Sequence, residues 1–272
     1  MKTVTAFYPK TSLYRSAEDY LNGPEGMNNE VQMWFVAGGL LLQHLSSKIG
    51  NNKFGGLVDR VGSEEQWRLK TLSVLDLCSG PGDFINHLLF SHPKLEGVCV
   101  DTNDVFVESG NEKFGRHNIK FIKADAVRLD LQKKFDVVVA SSAYHHIPDR
   151  NKEKFLGVIR QHLDNRGIAI ICDNFLPAYG NTAQRMVAVE RYYGSLLEYY
   201  KNGNATKGGI KAISEAYALE RAGHIEHKVP YSLFLRQIKK TNLKIVADVI
   251  VWQPKNLKQD NAGSHVIVLK KA

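Results

Sequence analysis

The sequence predicts an α/β fold: a doubly wound, Rossmann-like sheet of seven strands, and three observations carry that expectation. From residue 71 onward, short runs apolar on both faces recur at Leu72–Leu77, Gly97–Val100, Ile119–Ile122, Val137–Ala140 and Ile168–Ile171. Strands covered on both sides of a parallel sheet read in this way. Between them lie polar-faced segments whose apolar residues share a helical stripe. Phe84, Ile85, Leu88 and Leu89 form one, and Phe155, Leu156, Ile159 and Leu163 another. Finally, Leu243–Trp252 and His265–Leu269 flank a Pro-, Asn- and Gly-containing stretch at 253–263, a short connection that suits a C-terminal antiparallel hairpin closing the sheet edge.

Two parts fall outside this pattern. Residues 1–65 precede the first strand and contain a helix-like run around Asn29–Leu45, which predicts an N-terminal helical lid or cap. Residues 66–272 form the main domain, interrupted at about 175–230 by a helical cap insertion with helices expected at Gln184–Tyr200 and Ile210–Arg221. The Gly- and Asn-rich stretch 50–65 reads as a linker.

Composition bounds the class. At 272 residues, 43% apolar and 24% charged, the chain can bury a sizeable core and is not a disordered sequence. The longest uncharged stretch, Val31–Ser47, has 17 residues and includes Gln32, Gln43 and His44, which suits a buried helix better than a membrane span. The N-terminus has no apolar core of a secretory signal. Cys78, Cys99 and Cys172 form no CxxC pair, so no structural zinc is expected and a cytoplasmic, thiol-keeping location is. The net charge of +8 is uneven: residues 1–200 carry 23 basic and 23 acidic side chains, residues 201–272 carry 13 and 5. Because Lys239, Lys240, Lys270 and Lys271 are spread over helix, strand and terminus, this pole reads first as a solvated surface.

The chemistry concentrates at strand ends. Val74-Leu-Asp-Leu-Cys-Ser-Gly-Pro-Gly-Asp-Phe84 runs from a strand through a glycine turn into a helix, and Gly80 and Gly82 let backbone approach a ligand. A dinucleotide fingerprint wants a third glycine where Ile85 stands, and no GK[ST] follows for a phosphate loop. The next strand ends at Asp101, 19 residues after Gly82, where a carboxylate can accept from both hydroxyls of a ribose. The third ends in Asp125-Ala126, which suits an exocyclic adenine amine and a ring nitrogen. The fourth opens through Ser141 and Ser142 into Ala143-Tyr-His-His-Ile-Pro-Asp149.

In this order and spacing, the four segments resemble class I S-adenosylmethionine-dependent methyltransferases, of the small-molecule kind found in ubiquinone and natural-product biosynthesis, over about residues 70–175. The resemblance implies S-adenosyl-L-methionine as cofactor. It implies that Asp76, Cys78, Ser79, Gly80, Pro81 and Gly82 form the methionine-end turn, and that Asp101, Thr102 and Asn103 lie at the ribose. Asp125 and Ala126 then lie at the adenine, and the family's motif after the fourth strand maps onto Ser141, Ser142 and His146, the two serines among the cofactor-binding residues. Cys78 departs from the pattern, which usually has glycine there. The residues themselves also allow humbler roles: Asp76 and Asp125 can cap their own turns.

Methyl transfer is an in-line displacement on an activated carbon, so the protein's share is alignment and removal of the acceptor's proton. His146, and after it His145, are the candidate bases, against a packing role beneath the cofactor. His224, Glu226 and His227 read as a polar loop, and no metal is expected. Tyr192, Tyr193, Tyr199, Tyr200 and Tyr217 read as the insertion's own core, or as walls of an acceptor pocket. Trp34 and Phe35 read as buried helix residues, or as part of a lid.

A small-molecule acceptor is the leading expectation, because both non-sheet segments stand where a roof would enclose one. An RNA methyltransferase is the alternative, motivated by the basic C-terminal quarter, although the Asn/Asp-Pro-Pro-Tyr/Phe signature is missing after strand four. A third reading keeps the fold but uses the cofactor for chemistry other than methylation. A homodimer is compatible with the sequence, and no membrane partner is expected.

Overall fold

A computed structural model describes residues 28–49, 71–115, 117–224 and 226–272. A helix over Asn28–Ile49 (α1) comes first, followed by β1 Leu72–Leu77, α2 Asp83–Ser91, β2 Leu95–Asp101, α3 Asp104–Phe114, β3 Ile119–Lys123 and β4 Phe135–Ser141. A 3-10 turn at Tyr144–His146 leads to α4 Lys152–His162 and β5 Leu163–Phe175. The insertion supplies α5 Thr182–Tyr199 and α6 Lys207–Arg221, and α7 Tyr231–Lys240, β6 Leu243–Trp252 and β7 Gly263–Lys271 complete the order.

The seven strands form one sheet in the order β3-β2-β1-β4-β5-β7-β6. β1 to β5 pair in parallel, and β7 lies antiparallel between β5 and β6. The C-terminal hairpin is therefore present as expected. Its connection holds a 3-10 turn at Lys255–Asp260. β5 runs further than its apolar core suggested because it pairs with β4 on one side and with β7 along Ala169–Phe175 on the other.

Apolar side chains from alternate strand positions enter separate layers. Leu75, Val138, Ala169 and Ile267 pack with α4 and α7, whereas Val74, Val139, Ile170 and Val268 pack with α1 and α2. This period-two division is why runs apolar on both faces identified the strands. A third cluster, with Tyr192, Tyr193, Tyr200 and Trp252, is the insertion's own core. Behind it, Arg185 makes a two-pronged pair with Glu220 across α5 and α6, at 2.9 and 3.1 Å.

One glycine fixes the spacing of β1 and β2. A Cβ on Gly97 would stand 2.2 Å from the carbonyl oxygen of Val74, its register partner. Gly97→Ala should destabilise the fold by about 1–3 kcal/mol, read from urea midpoints, because neither backbone can withdraw without breaking the ladder.

The N-terminal region assigned to a lid is described only in its helix; residues 1–27 and the linker expected at 50–65 lie outside the described residues. Within α1 the two aromatic side chains part company. Trp34 is buried, but Phe35 is 65% exposed, with its ring edge-on to His87, so the expectation of a buried Phe35 is corrected. No described helix is long and apolar enough to cross a membrane.

Candidate active site

β1 leads toward β2 on one side and β4 toward β5 on the other, so a crevice opens where the two adjacent strands end. The turn after β1 is left-handed at Cys78 (φ 57°), Gly80 (φ 56°) and Gly82 (φ 95°). At Cys78 this explains the glycine usual in the resembled family: a side chain there holds a conformation costing about 1–3 kcal/mol. Gly82 is constrained by the core as well, since its Cβ would meet Phe121 at 2.6 Å and Phe114 at 2.7 Å.

Asp76 ends β1 only 1% exposed, and its Oδ2 has no hydrogen-bond partner among the described residues. Burial, reinforced by Asp101 and Asp83, holds its carboxyl well above the ordinary carboxylate pKa. Asp101 is satisfied differently. Its two oxygens accept from Gly80 N and Asn103 N, each at 2.9 Å, tying the tip of β2 to the glycine turn. Asn103 in turn caps α3 by accepting from Val105 N. Asp125 is exposed and accepts from Val127 N at 2.9 Å, which is the turn-capping role the sequence allowed.

Over β1 and β4 lies a cavity of about 130 Å³. Of the sequence-predicted residues it is lined by Asp76, Ser79, Ser141, Ser142, His145 and His146. Cys78, Gly80, Pro81 and Gly82 stand behind it in the turn, and Asp101, Thr102, Asn103, Asp125 and Ala126 stand outside it toward β2 and β3.

α1 is the roof. Trp34 Nε1 donates to Ser141 Oγ at 3.0 Å, and Glu30 accepts from Ser142 Oγ at 2.5 Å and from Asn174 Nδ2 at 3.1 Å. Asn29 donates to Ser264 Oγ at 2.9 Å and accepts from the Tyr200 hydroxyl. Burial pushes the Glu30 carboxyl up, against the two bonds that favour its charged form. Trp34→Phe keeps an aromatic ring but removes part of the buried indole together with its bond to Ser141. It should cost about 1 kcal/mol and speed amide exchange in α1 roughly fivefold relative to the sheet.

The opposite wall comes from the insertion. Tyr192, Tyr193 and Tyr200 serve its core, as one sequence reading had it, and also line the cavity. The Tyr192 hydroxyl is buried and has no partner among the described residues.

The floor beyond β4 is the histidine turn. His145 Nδ1 lies 2.8 Å from Asp173 Oδ1, and its backbone N–H donates to Asp173 Oδ2 at 3.2 Å. Burial would raise the Asp173 carboxyl, but the adjacent His145 holds it below the usual range. Lys152, fully buried, braces the turn from behind: Nζ donates to the Tyr144 carbonyl at 2.6 Å and sits 4.0 Å from that ring's centre. Burial drives its ammonium down to about 8. His146 lines the cavity beside His145 although the residue as a whole is exposed, and desolvation of its ring against these neighbours, then His145, lowers its imidazole pKa. Glu226 reaches the same place from the loop before α7. It accepts from the Tyr193 hydroxyl at 2.7 Å and pairs with Lys228. Burial would raise its carboxyl, but Lys228 and the two histidines pull it well below the ordinary value.

Asp173, Glu30, Asn174 and Lys228 were not among the sequence candidates, and Glu226 was weighed only as part of a polar loop. Asp173 was findable, because it ends an apolar strand run as Asp101 does. Asn174 follows Asp173 on β5, whereas Glu30 reaches the site from the roof and Glu226 and Lys228 from the end of the insertion. Of the polar loop segment, His224 is exposed while Glu226 turns inward, so the three residues do not act as one set.

Residues 74–167 match the family model described as a methyltransferase domain. An uncharacterized methyltransferase of Schizosaccharomyces pombe is 36% identical over 94 residues, 30% of this chain and 32% of that protein. An uncharacterized protein of Rickettsia prowazekii is 30% identical over 125 residues, 44% of this chain and 50% of that protein. The chain thus aligns with half or less of the curated relatives it matches. Among solved structures, PKMT2 from Rickettsia typhi in complex with AdoHcy superposes with a TM-score of 0.52, at 19% identity over 74% of this chain and 49% of that one. An S-adenosylmethionine-dependent methyltransferase from Clostridium acetobutylicum superposes with a TM-score of 0.50, at 14% identity over 84% of this chain and 91% of that one. At these identities the likeness is one of fold. With the sheet order it shows the fold of class I methyltransferases, and residues 74–167 are the part of the chain that matches a methyltransferase domain.

Proposed function

We propose that this protein transfers the methyl group of S-adenosylmethionine to an O, N or C atom of a small acceptor enclosed beneath α1, α5 and α6. The observation that carries this reading is the buried Asp76 carboxyl group, which lines the cavity near the end of β1 and whose Oδ2 has no partner among the described residues. An unpartnered buried acid is costly unless a ligand supplies a donor, and an α-ammonium group fits that requirement. The cofactor, when bound, supplies a methyl group already activated on a sulfonium. Asp101, a carboxylate at the tip of β2 oriented by backbone N–H groups, suits the ribose, and Asp125 with the buried Ala126 suits the adenine.

The chain's own residues then supply alignment and proton transfer. Ser141 and Ser142 are held by Trp34 and Glu30, which fixes the roof over the reacting end and excludes water. His145 is the better-placed base of the two histidines. Asp173 occupies its Nδ1, so Nε2 is the nitrogen left to take a proton from an acceptor hydroxyl or ammonium. His146 forms the adjoining wall. The enclosed geometry favours a small molecule over a polymer such as RNA.

Incubation with methyl-labelled S-adenosylmethionine and a small-metabolite extract should yield adenosylhomocysteine together with a labelled small product. Label in bulk tRNA, lost steeply as salt rises, would overturn the acceptor class. Absence of adenosylhomocysteine with any acceptor would favour chemistry other than methylation.

A further inference from the structure

We propose that His145, His146 and Glu226 form a binding site for one divalent cation of the zinc class, with its open position facing the acceptor cavity. The three residues come from distant parts of the chain, the turn after β4 and the loop before α7, yet one ligand atom of each lies within 4.8 Å of the other two. Two imidazoles and a carboxylate are a donor set for zinc and its borderline neighbours such as cobalt, and three protein ligands leave a fourth position for a substrate or water. With metal–ligand bonds of about 2.0–2.1 Å, tetrahedral ligand atoms stand roughly 3.3 Å apart, so side-chain rotations of about an ångström close the set.

The surroundings are those of a built site. A ligating histidine is characteristically held through its other nitrogen by a carboxylate, and Asp173 holds His145 Nδ1 at 2.8 Å. The carboxylate ligand is also oriented. Tyr193 and Lys228 both donate to Oε2 of Glu226, which leaves Oε1 with no donor among the described residues. Lys152 fixes the histidine turn through the Tyr144 carbonyl. All three ligands line the cavity, as does the unpartnered Tyr192 hydroxyl.

A cation held by Nε2 of His145 would engage the acceptor through an oxygen atom and acidify a hydroxyl there, whose proton would pass to solvent, so the loaded site would not need the free imidazole that serves as base without metal. The acceptors favoured are therefore those offering a hydroxyl or carbonyl oxygen. This assignment of acceptor chemistry rests on the proposed function; the metal site does not, and its test is made without acceptor or cofactor.

Chelator-treated, dialysed protein is titrated with Zn²⁺ by calorimetry and with Co²⁺ by visible absorption. One equivalent should bind, with the intense bands of a tetrahedral cobalt site. His146→Ala and Glu226→Gln should each weaken binding at least tenfold, and Asp173→Asn by about 10–100-fold. His224→Ala, an exposed histidine on the same loop, should leave binding unchanged. Absence of a one-equivalent site in the wild-type protein overturns the proposal, and so does affinity unaltered in Glu226→Gln. The isosteric glutamine guards against a folding artefact, checked by thermal melting of each variant. Loss of metal binding leaves the methyl-transfer reading to its own product assay.

Discussion

Asp76→Asn is expected to stabilise the ligand-free protein and to abolish tight cofactor binding in the same molecule. The buried carboxyl has its folded-state pKa raised by burial and by Asp101 and Asp83. A raised acid contributes stability that is complete below the unfolded-state pKa and is lost as pH rises through the folded value. At neutral pH the wild-type fold therefore carries the cost of an unpartnered buried acid, and an asparagine does not. The gain should be about 1–2 kcal/mol at pH 7–8, or roughly 2–4 °C per kcal/mol in melting temperature, narrowing as the pH is lowered toward 4. S-adenosylmethionine affinity should fall at least tenfold, because the amide offers no charge to an α-ammonium group. A less stable variant that still bound the cofactor like wild type would remove Asp76 from the methionine end.

His145→Ala and Asp173→Asn should each lower the rate of adenosylhomocysteine formation by about 10²-fold or more while leaving cofactor affinity within roughly twofold. The asparagine keeps the volume beside the ring but loses the negative charge that fixes which nitrogen carries the hydrogen. The same outcome is expected whether His145 takes the proton itself or holds a cation that engages the acceptor. Cofactor affinity is the discriminating readout: the dyad lies across β4 from Asp76 and Asp101, so a parallel loss of affinity would show that the turn had collapsed. An undiminished rate would demote the dyad to packing.

Most of the sheet could be read in advance because its strands are apolar on both faces, a consequence of layers on either side. Three acids near strand ends could be picked out for a related reason: Asp101 directly follows an apolar run, Asp76 interrupts one, and Asp125 comes shortly after one. Phe35 was misjudged because an apolar residue within an uncharged helix carries no mark of which way it faces. The meeting of Glu226 and Lys228 with the histidine turn was illegible, although Glu226 was noted in its own loop, because about eighty residues separate them from His145, a distance no local period encodes. The tyrosines were ambiguous from sequence because one helix, α5, presents rings to its own core and to the cavity together.

The roof and the strand it fastens to are made far apart in time. Asn29 bonds Ser264, 235 positions later, and Asn174 accepts from the same hydroxyl. Ser264 belongs to β7, which must thread between β5 and β6 before its hydroxyl is in place. During synthesis, α1 therefore emerges with its apolar face and its polar latch both unmatched, and waits for nearly the whole sheet. Contacts of such sequence separation form late, because the loop they close must be ordered first. The compartment over the crevice is accordingly sealed as one of the last events of folding, and a chain arrested before β7 would present its catalytic crevice uncovered.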